Sequence, residues 1–224
     1  MDEENAQHPP SERTRVRRFP ELARYDRPTI DAILDEALVC HLGFVLEAKP
    51  FVIPTLHARV GDELYVHGSA ASRTLRALSD AIPVSVAVTL LDGIVLARSA
   101  FESSVNYRSV VLFGTARVIE DQEEKLRALE ALTEQLVPGR WAEVRPVTDK
   151  ELKATTVLAF PIEEASVKIS EGPPDDADSP DADLPIWAGV IPVETRFLPP
   201  VTAPDLKFDI EAPPSATNYR RPSA

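Results

Sequence analysis

The chain of 224 residues contains one cysteine, one methionine and no long uninterrupted apolar run. Because Cys40 stands alone, neither a disulfide framework nor a thiolate metal cluster can form within the chain. No stretch approaches the roughly 18 apolar residues of a membrane-spanning helix, and the polar start lacks the apolar run of a secretory signal. We therefore expect a cytoplasmic protein with no membrane segment.

Positive charge is also scarce, since 24 Lys and Arg residues against 36 Asp and Glu residues give a net charge of −12. This balance argues against nucleic acid or an anionic membrane as the main partner, because both repel a negatively charged protein. The four histidines show no recurring ligand spacing, so no metal site is expected.

The stretch from 63 to 78 carries the most informative pattern. It opens as a β-prone segment, Gly68 and Ser69 interrupt it, and helical spacing begins near Ser72. A strand, a short Gly/Ser loop and a helix start with Arg73 in its first turn are typical of phosphate binding, because the first amides of a helix point outward and favour an anion. The alternative is that a serine simply caps this helix and that Arg73 is solvated.

Turn signals elsewhere indicate many short strands. Gly61-Asp62 and Asp92-Gly93 predict tight hairpin turns, and residues 155–169 are predicted to form the last long strand. About seven strands with tight turns favour a mainly β fold, an antiparallel barrel or sandwich, over a doubly wound sheet.

Helices are expected at the periphery of this fold. Asp26 or Thr29 can cap an amphipathic helix ahead of the first strands, Asp121 can cap a second helix, and Thr148 with Glu151 forms a capping box for a third.

Composition divides the chain into five parts. They are a disordered or extended arm (1–24), a barrel domain (25–170), an acidic linker (171–183), an apolar segment around Trp187 (184–198) and a proline-rich disordered tail (199–224). The arginines of the arm could contact a phosphate or lie in solvent. Trp187 must pack against its own barrel or a partner subunit, either closing a barrel end or contacting a ligand.

Three of these motifs occur in the same order in a known family. They are Gly68-Ser69-x-x-Ser72-Arg73, the strand 107–114, and Pro185-x-Trp187-Ala188-Gly189. Together they resemble the pyridoxamine 5′-phosphate oxidase-like, FMN-binding split β-barrel family, in its flavin-nucleotide-binding branch, over about residues 25–195. The resemblance implies a split barrel of six to seven antiparallel strands and a homodimer with FMN at the subunit interface.

The resemblance also implies which residues contact the FMN. Ser72 and Arg73 match two positions of a Ser-Arg-Lys phosphate grip, in which Thr74 replaces the lysine. His67 and Gly68 would lie beside the flavin. The other implied cofactor residues are Ile53, Thr55 and His57 on one strand, Ser69 in the loop, Arg108 and Ser109 from the other subunit, and Trp187.

The function implied by the family is that of an FMN-dependent oxidoreductase, whose substrate the motifs do not name. Oxidase members carry an Arg-x-His motif near the C-terminus, whereas the nearest run here is Arg196-Phe197-Leu198, so oxidation of pyridoxamine phosphate is not expected. The alternatives are a non-catalytic flavin carrier, the same barrel using deazaflavin or haem, and a purely structural dimer.

Overall fold

The computed structural model describes residues 8–79 and 81–221, and it leaves the side chains of Arg73 and Thr74 outside the description. The strands are β1 (Ala23–Arg24), β2 (Val39–Leu46), β3 (Lys49–Val60), β4 (Glu63–Ser69), β5 (Pro83–Leu96), β6 (Ser104–Thr115), β7 (Arg117–Val118), β8 (Thr155–Pro161), β9 (Glu164–Ser170) and β10 (Gly189–Pro192). The helices are α1 (Arg27–Glu36), α2 (Arg73–Ser79), α3 (Gln122–Leu136), α4 (Asp149–Ala154) and α5 (Pro214–Thr217).

The strands form one antiparallel sheet that curls around the core. Its order is β1-β9-β6-β5-β2-β3-β4-β8-β7, and β10 pairs with β5 beside this path. The seven strands β2–β6, β8 and β9 are each at least seven residues long. The expected mainly β, antiparallel architecture is therefore confirmed.

Helix α1 packs its apolar face against the inside of the curled sheet. Its N-terminus is capped by Asp26, whose carboxylate accepts from the Thr29 amide at 2.9 Å. Ile30, Ile33 and Leu34 recur at helical spacing and are all buried. They join one apolar cluster with side chains from the long strands, which include Leu42, Leu64, Val86, Val110, Phe160 and Val167.

The predicted hairpin turn at Asp92-Gly93 is wrong. Strand β5 runs through these residues, with a register shift between Leu91 and Gly93 where it pairs with β6. The shift is a bulge, and Gly93 is needed there because a Cβ would lie 3.0 Å from Val190 Cγ1 of β10. A bulge glycine and a turn glycine have the same sequence signature.

The predicted single strand over 155–169 is also wrong. The chain turns at Ile162 and Glu163 between β8 and β9, and the Ile162 amide donates to the Asp62 carbonyl at 2.9 Å. Ile162 and Glu163 are not typical turn residues, and the available signal is Pro161 at the end of β8, which argues against one continuous strand.

Helix α3 packs on the outer face of β4 and β8. The contact is a second apolar cluster formed by Tyr65, Ile119, Ala128, Val157 and Ala159. Within residues 8–79 and 81–221, no helix is long and apolar enough to cross a membrane.

Both terminal segments contact the barrel. In the N-terminal arm Thr14 is buried, and the Arg13 guanidinium pairs with Glu164 and lies 4.9 Å from the centre of the Phe113 ring. Residues 199–213, for which composition predicts disorder, have no regular secondary structure. Beyond them, the Tyr219 hydroxyl donates to the Leu136 carbonyl at 2.9 Å.

Candidate cofactor site

The junction between β4 and α2 is built from backbone hydrogen bonds to two serines. The Ser69 hydroxyl oxygen accepts from the Ala71 amide at 3.2 Å, and the Ser72 hydroxyl oxygen accepts from the Leu75 amide at 3.4 Å. Ser72 thus occupies the capping position of α2. Both hydroxyl protons are unused in hydrogen bonds within the described residues, so each can still donate to a phosphate oxygen. The Arg73 side chain, predicted to grip that phosphate, lies outside the described residues.

Gly68 allows α2 to pack closely on β4. A Cβ at this position would lie 2.7 Å from Leu75 Cδ1, and Leu75 is buried in the main core. The junction therefore requires glycine for packing, whatever ligand it binds.

His67 precedes this junction and carries an unsatisfied ring nitrogen. Its Nδ1 is buried and has no hydrogen-bond partner within the described chain. Burial lowers the pKa of His67, which favours the neutral imidazole. A neutral imidazole nitrogen without a partner is a group that can bind a metal ion or accept a hydrogen bond.

His57 is fully buried, and its ring serves the end of α1. Its Nε2 lies 3.0 Å from the Leu34 carbonyl oxygen, one of the carbonyls that the helix leaves unpaired. Its pKa is lowered, chiefly by burial, which favours the neutral ring. Because a carbonyl oxygen can only accept, Nε2 is the donor, and the buried Nδ1 of His57, like that of His67, has no partner within the described chain. The register pairs His57 with Val66, which places the His67 side chain on the opposite face of the sheet from His57.

The other predicted residues of β3 line the core side of the sheet. Ile53 pairs with Leu42 of β2 and packs against the main core. Thr55 pairs with Cys40 and is half-buried. Their predicted contact with a flavin would therefore come from the backbone of the strand.

Arg108 is held in a network of two carboxylates. Its guanidinium contacts Glu36, at the end of α1, at 2.6 and 2.9 Å, and Asp92, in β5, at 2.9 and 3.0 Å. Neighbouring Ser109 donates from its hydroxyl to the Lys168 carbonyl at 3.3 Å. Sequence reasoning identifies neither partner. Asp92 is interpreted there as part of a turn, and Glu36 lies 72 positions from Arg108.

Trp187 lies on the surface beside β10. Its ring covers Gly189, where a Cβ would approach the ring to 2.8 Å, and 67% of the residue is exposed. Asp92 connects this region with Arg108, since its carbonyl accepts from the Val193 amide at 3.0 Å just after β10.

The predicted residues fall into two groups along the sheet. His67, Gly68, Ser69 and Ser72 are close in sequence at the end of β4 and the start of α2, while Arg108 lies on β6. In the strand order, β3, β2 and β5 stand between β4 and β6. We call these two groups the half-sites, one at the β4–α2 junction and one around Arg108.

A family model described as pyridoxamine 5′-phosphate oxidase matches residues 26–169, most of the barrel. The chain belongs to the pyridoxamine 5′-phosphate oxidase-like family. The family expected from the motifs is thus confirmed. No curated protein matches the chain.

Solved structures of the family include two similar to nearly the whole chain. The flavocytochrome Anf3 from Azotobacter vinelandii is 43% identical over 96% of this chain and 99% of its own, with a TM-score of 0.90. The FAD and heme binding protein from Mycobacterium smegmatis is 44% identical over 89% of this chain and 98% of its own, with a TM-score of 0.84.

A more distant structure shares the fold alone. The putative 5-nitroimidazole antibiotic resistance protein from Bacteroides thetaiotaomicron is 24% identical over 66% of this chain and 86% of its own, with a TM-score of 0.56.

Proposed function

We propose that this protein binds a flavin and a haem and acts as an electron-transferring oxidoreductase. The observation that carries the proposal is the neutral ring of His67, whose buried Nδ1 has no partner in the described chain. The neutral imidazole of His67 would hold the iron of a haem, and the haem would supply single-electron chemistry. The two relatives at 43% and 44% identity, a flavocytochrome and an FAD and heme binding protein, support the same pair of cofactors.

The residues present also fit a flavin. At the β4–α2 junction, the hydroxyls of Ser69 and Ser72 each keep a proton to donate to a phosphate. The exposed ring of Trp187 offers a flat apolar surface to a flavin or adenine ring. A bound flavin supplies the hydride and single-electron chemistry, and the protein supplies position and polarity.

The flavin that we propose is FAD, because the relative from Mycobacterium smegmatis is described with FAD. FMN, which the motifs led us to expect, is the alternative, and the phosphate contact at Ser72 would serve either. Mass spectrometry of the flavin released by denaturation distinguishes the two.

We further propose that two copies form a dimer in which the two half-sites of different chains meet. The resemblance of Arg108 and Ser109 to family residues that reach the cofactor from the other subunit supports this arrangement. Arg108 remains held by Glu36 and Asp92, and the one cation and two carboxylates together carry a net negative charge, so Arg108 would be a fixed group beside the cofactor rather than a free positive charge.

The test uses absorption spectra of the protein purified with its own pigments and after reconstitution with haemin and FAD. We expect a Soret band and flavin absorption in the native chain. His67→Ala should lose the Soret band and keep the flavin, while His41→Ala, on an exposed strand position, should keep both.

Two outcomes would overturn parts of the proposal. A native chain that binds neither pigment would refute it as a whole, and an unchanged Soret band in His67→Ala would exclude His67 as the ligand. With both groups bound, the protein would be expected to oxidise NADH or NADPH and pass the electrons to the haem. A bound flavin that neither NADH nor NADPH reduces would instead indicate a carrier.

A further inference from the structure

The tail beyond β10 forms a loop that is closed at its base. The rings of Phe197 and Tyr219 meet edge to face with their centres 4.7 Å apart, and Tyr219 is itself held to the Leu136 carbonyl. Between them, residues 198–212 make no hydrogen bond to any other described part of the chain. We call residues 198–212 the arm from here on, as distinct from the N-terminal arm of residues 1–24. A loop of this length can extend at most about 25 Å from its base.

The arm exposes large apolar side chains. Leu198, Val201, Phe208 and Ile210 are exposed to between 60 and 93%. Apolar and charged residues alternate from Asp205 to Glu211, so that an extended arm has one apolar side and one charged side. Three prolines also restrict the arm, at positions 199, 200 and 204, and this lowers the entropy lost when it docks. Such a segment is suited to covering another apolar surface.

The barrel carries a matching surface that this arm does not cover. A groove on the sheet is lined by Arg13, Gly43, Val45, Val52 and Phe113, among others. Val45 and Val52 are exposed to 59 and 65%. Because arm and groove are both exposed in the same chain, the arm does not occupy the groove of its own barrel.

One polar contact between the two surfaces is available at Arg13. Arg13 is the charged residue among those that line the groove, and although it pairs with Glu164, half of its side chain remains exposed and can donate to a carboxylate of the arm. The charged side of the arm is mainly acidic, with Asp205, Asp209 and Glu211 around a single lysine. In a twofold dimer each copy offers one arm and one groove, so both contacts form together.

We propose that residues 198–212 dock in the groove of a second copy of this chain. The proposal rests on the dimer proposed above and names the segment that holds it together. The arm of each chain then lies on the face of its partner formed by β2, β3 and β5, and the base of the loop stays on its own barrel.

The test is a cross-link between two different chains. A tagged Phe208→Cys chain is mixed with an untagged Val52→Cys chain, allowed to exchange and treated with a short bismaleimide. The native Cys40 is fully buried, and burial raises its pKa to about 12, so the introduced thiol is the reactive one in the folded chain. We expect a covalent heterodimer that contains one tagged and one untagged chain.

The matched control replaces Val52→Cys by Phe101→Cys, whose side chain is 89% exposed on a loop outside the groove. This pair should give at least about tenfold less cross-linked dimer. Equal yields for the two pairs, or no heterodimer with Val52→Cys, would overturn the proposal.

Sedimentation equilibrium provides a second measurement that needs no cross-linker. Phe208→Ser with Ile210→Ser should raise the dimer dissociation constant at least about tenfold, while Phe101→Ser should leave it unchanged. A dimer unaffected by the double change, or a monomeric native chain, would refute arm docking. Flavin and haem spectra of the same samples separate this result from failure of the proposed function, because neither arm residue belongs to the half-sites.

Discussion

The guanidinium of Arg108 joins Glu36, the last residue of α1, through two hydrogen bonds of 2.6 and 2.9 Å. Its other edge contacts Asp92 in the bulge of β5. These pairings, that with Asp92 first, raise the pKa of Arg108 further above its ordinary range. Helix α1 is thereby fixed to β5, the strand that pairs with β10.

Removing this cation should destabilise the fold, because two partly buried carboxylates would then lack their common partner. Since all three groups are partly exposed, we expect Arg108→Ala to lower the free energy of unfolding by about 1–3 kcal/mol. Adding Glu36→Gln should recover part of the loss. Urea unfolding measures both, and Arg145→Ala, at an exposed ion pair, should cause no measurable change. Equal stability of Arg108→Ala and the native chain would contradict this account.

His57 should make the stability depend on pH. In the folded chain the pKa of His57 is lowered below 6.5, chiefly by burial and also by the charge of Arg221. At a pH between the pKa of the folded chain and that of the unfolded chain, the unfolded chain therefore binds a proton that the folded chain does not. Stability is therefore complete above about pH 6.5 and is lost as the pH falls below it. Burial lowers the pKa of His67 as well, with the same sign.

The measurement is the melting temperature at about pH 7.5 and about pH 5.5. His57→Gln retains an amide that can donate to the Leu34 carbonyl but cannot be protonated in this range, so its melting temperature should fall less on acidification. His41→Gln, which alters an exposed histidine, should behave as the native chain does. An equal fall in His57→Gln would show that other groups cause the pH dependence.

Local signals allowed the helices and their starts to be predicted. The carboxylate of Asp121 accepts from the Glu124 amide at 2.8 Å, and Thr148 forms the complete capping box with Glu151, as the spacing of these residues indicates. Caps involve residues three positions apart, so the sequence alone contains both partners.

The contacts around Arg108 could not be predicted in this way. Glu36 lies 72 positions from Arg108 in the sequence. Asp92 lies 16 positions away, and the Asp92-Gly93 pair resembles a turn. Family motifs marked Arg108 as a cofactor residue but did not reveal that its guanidinium is already paired. Long-range partners of this kind depend on strand register, which a one-residue bulge changes.

Gly68 should tolerate substitution poorly although it is not a turn residue. In Gly68→Ala the new Cβ would lie 2.7 Å from Leu75 Cδ1, so Leu75 must move within a packed core. We expect a loss of about 1–3 kcal/mol in the free energy of unfolding, and partial recovery when Leu75→Val makes room. Gly139→Asn, at a positive φ in a loop with open space around it, should cost less. Denaturant titration compares the variants, and failure of Leu75→Val to recover stability would point to a backbone cause.

The end of the chain should stabilise α1. The Arg221 guanidinium donates to the Glu36 carbonyl at 2.7 and 3.0 Å and to the Ala37 carbonyl at 3.3 Å, which are groups that the helix C-terminus leaves unpaired. Arg221→Ala should therefore lower the free energy of unfolding by about 1–2 kcal/mol and speed hydrogen exchange in α1. Arg220→Ala is the matched control, because its neighbouring side chain makes no such contact in the described structure. If exchange in α1 is the same in both variants, Arg221 does not hold the helix, and the base of the arm would depend on Tyr219 instead.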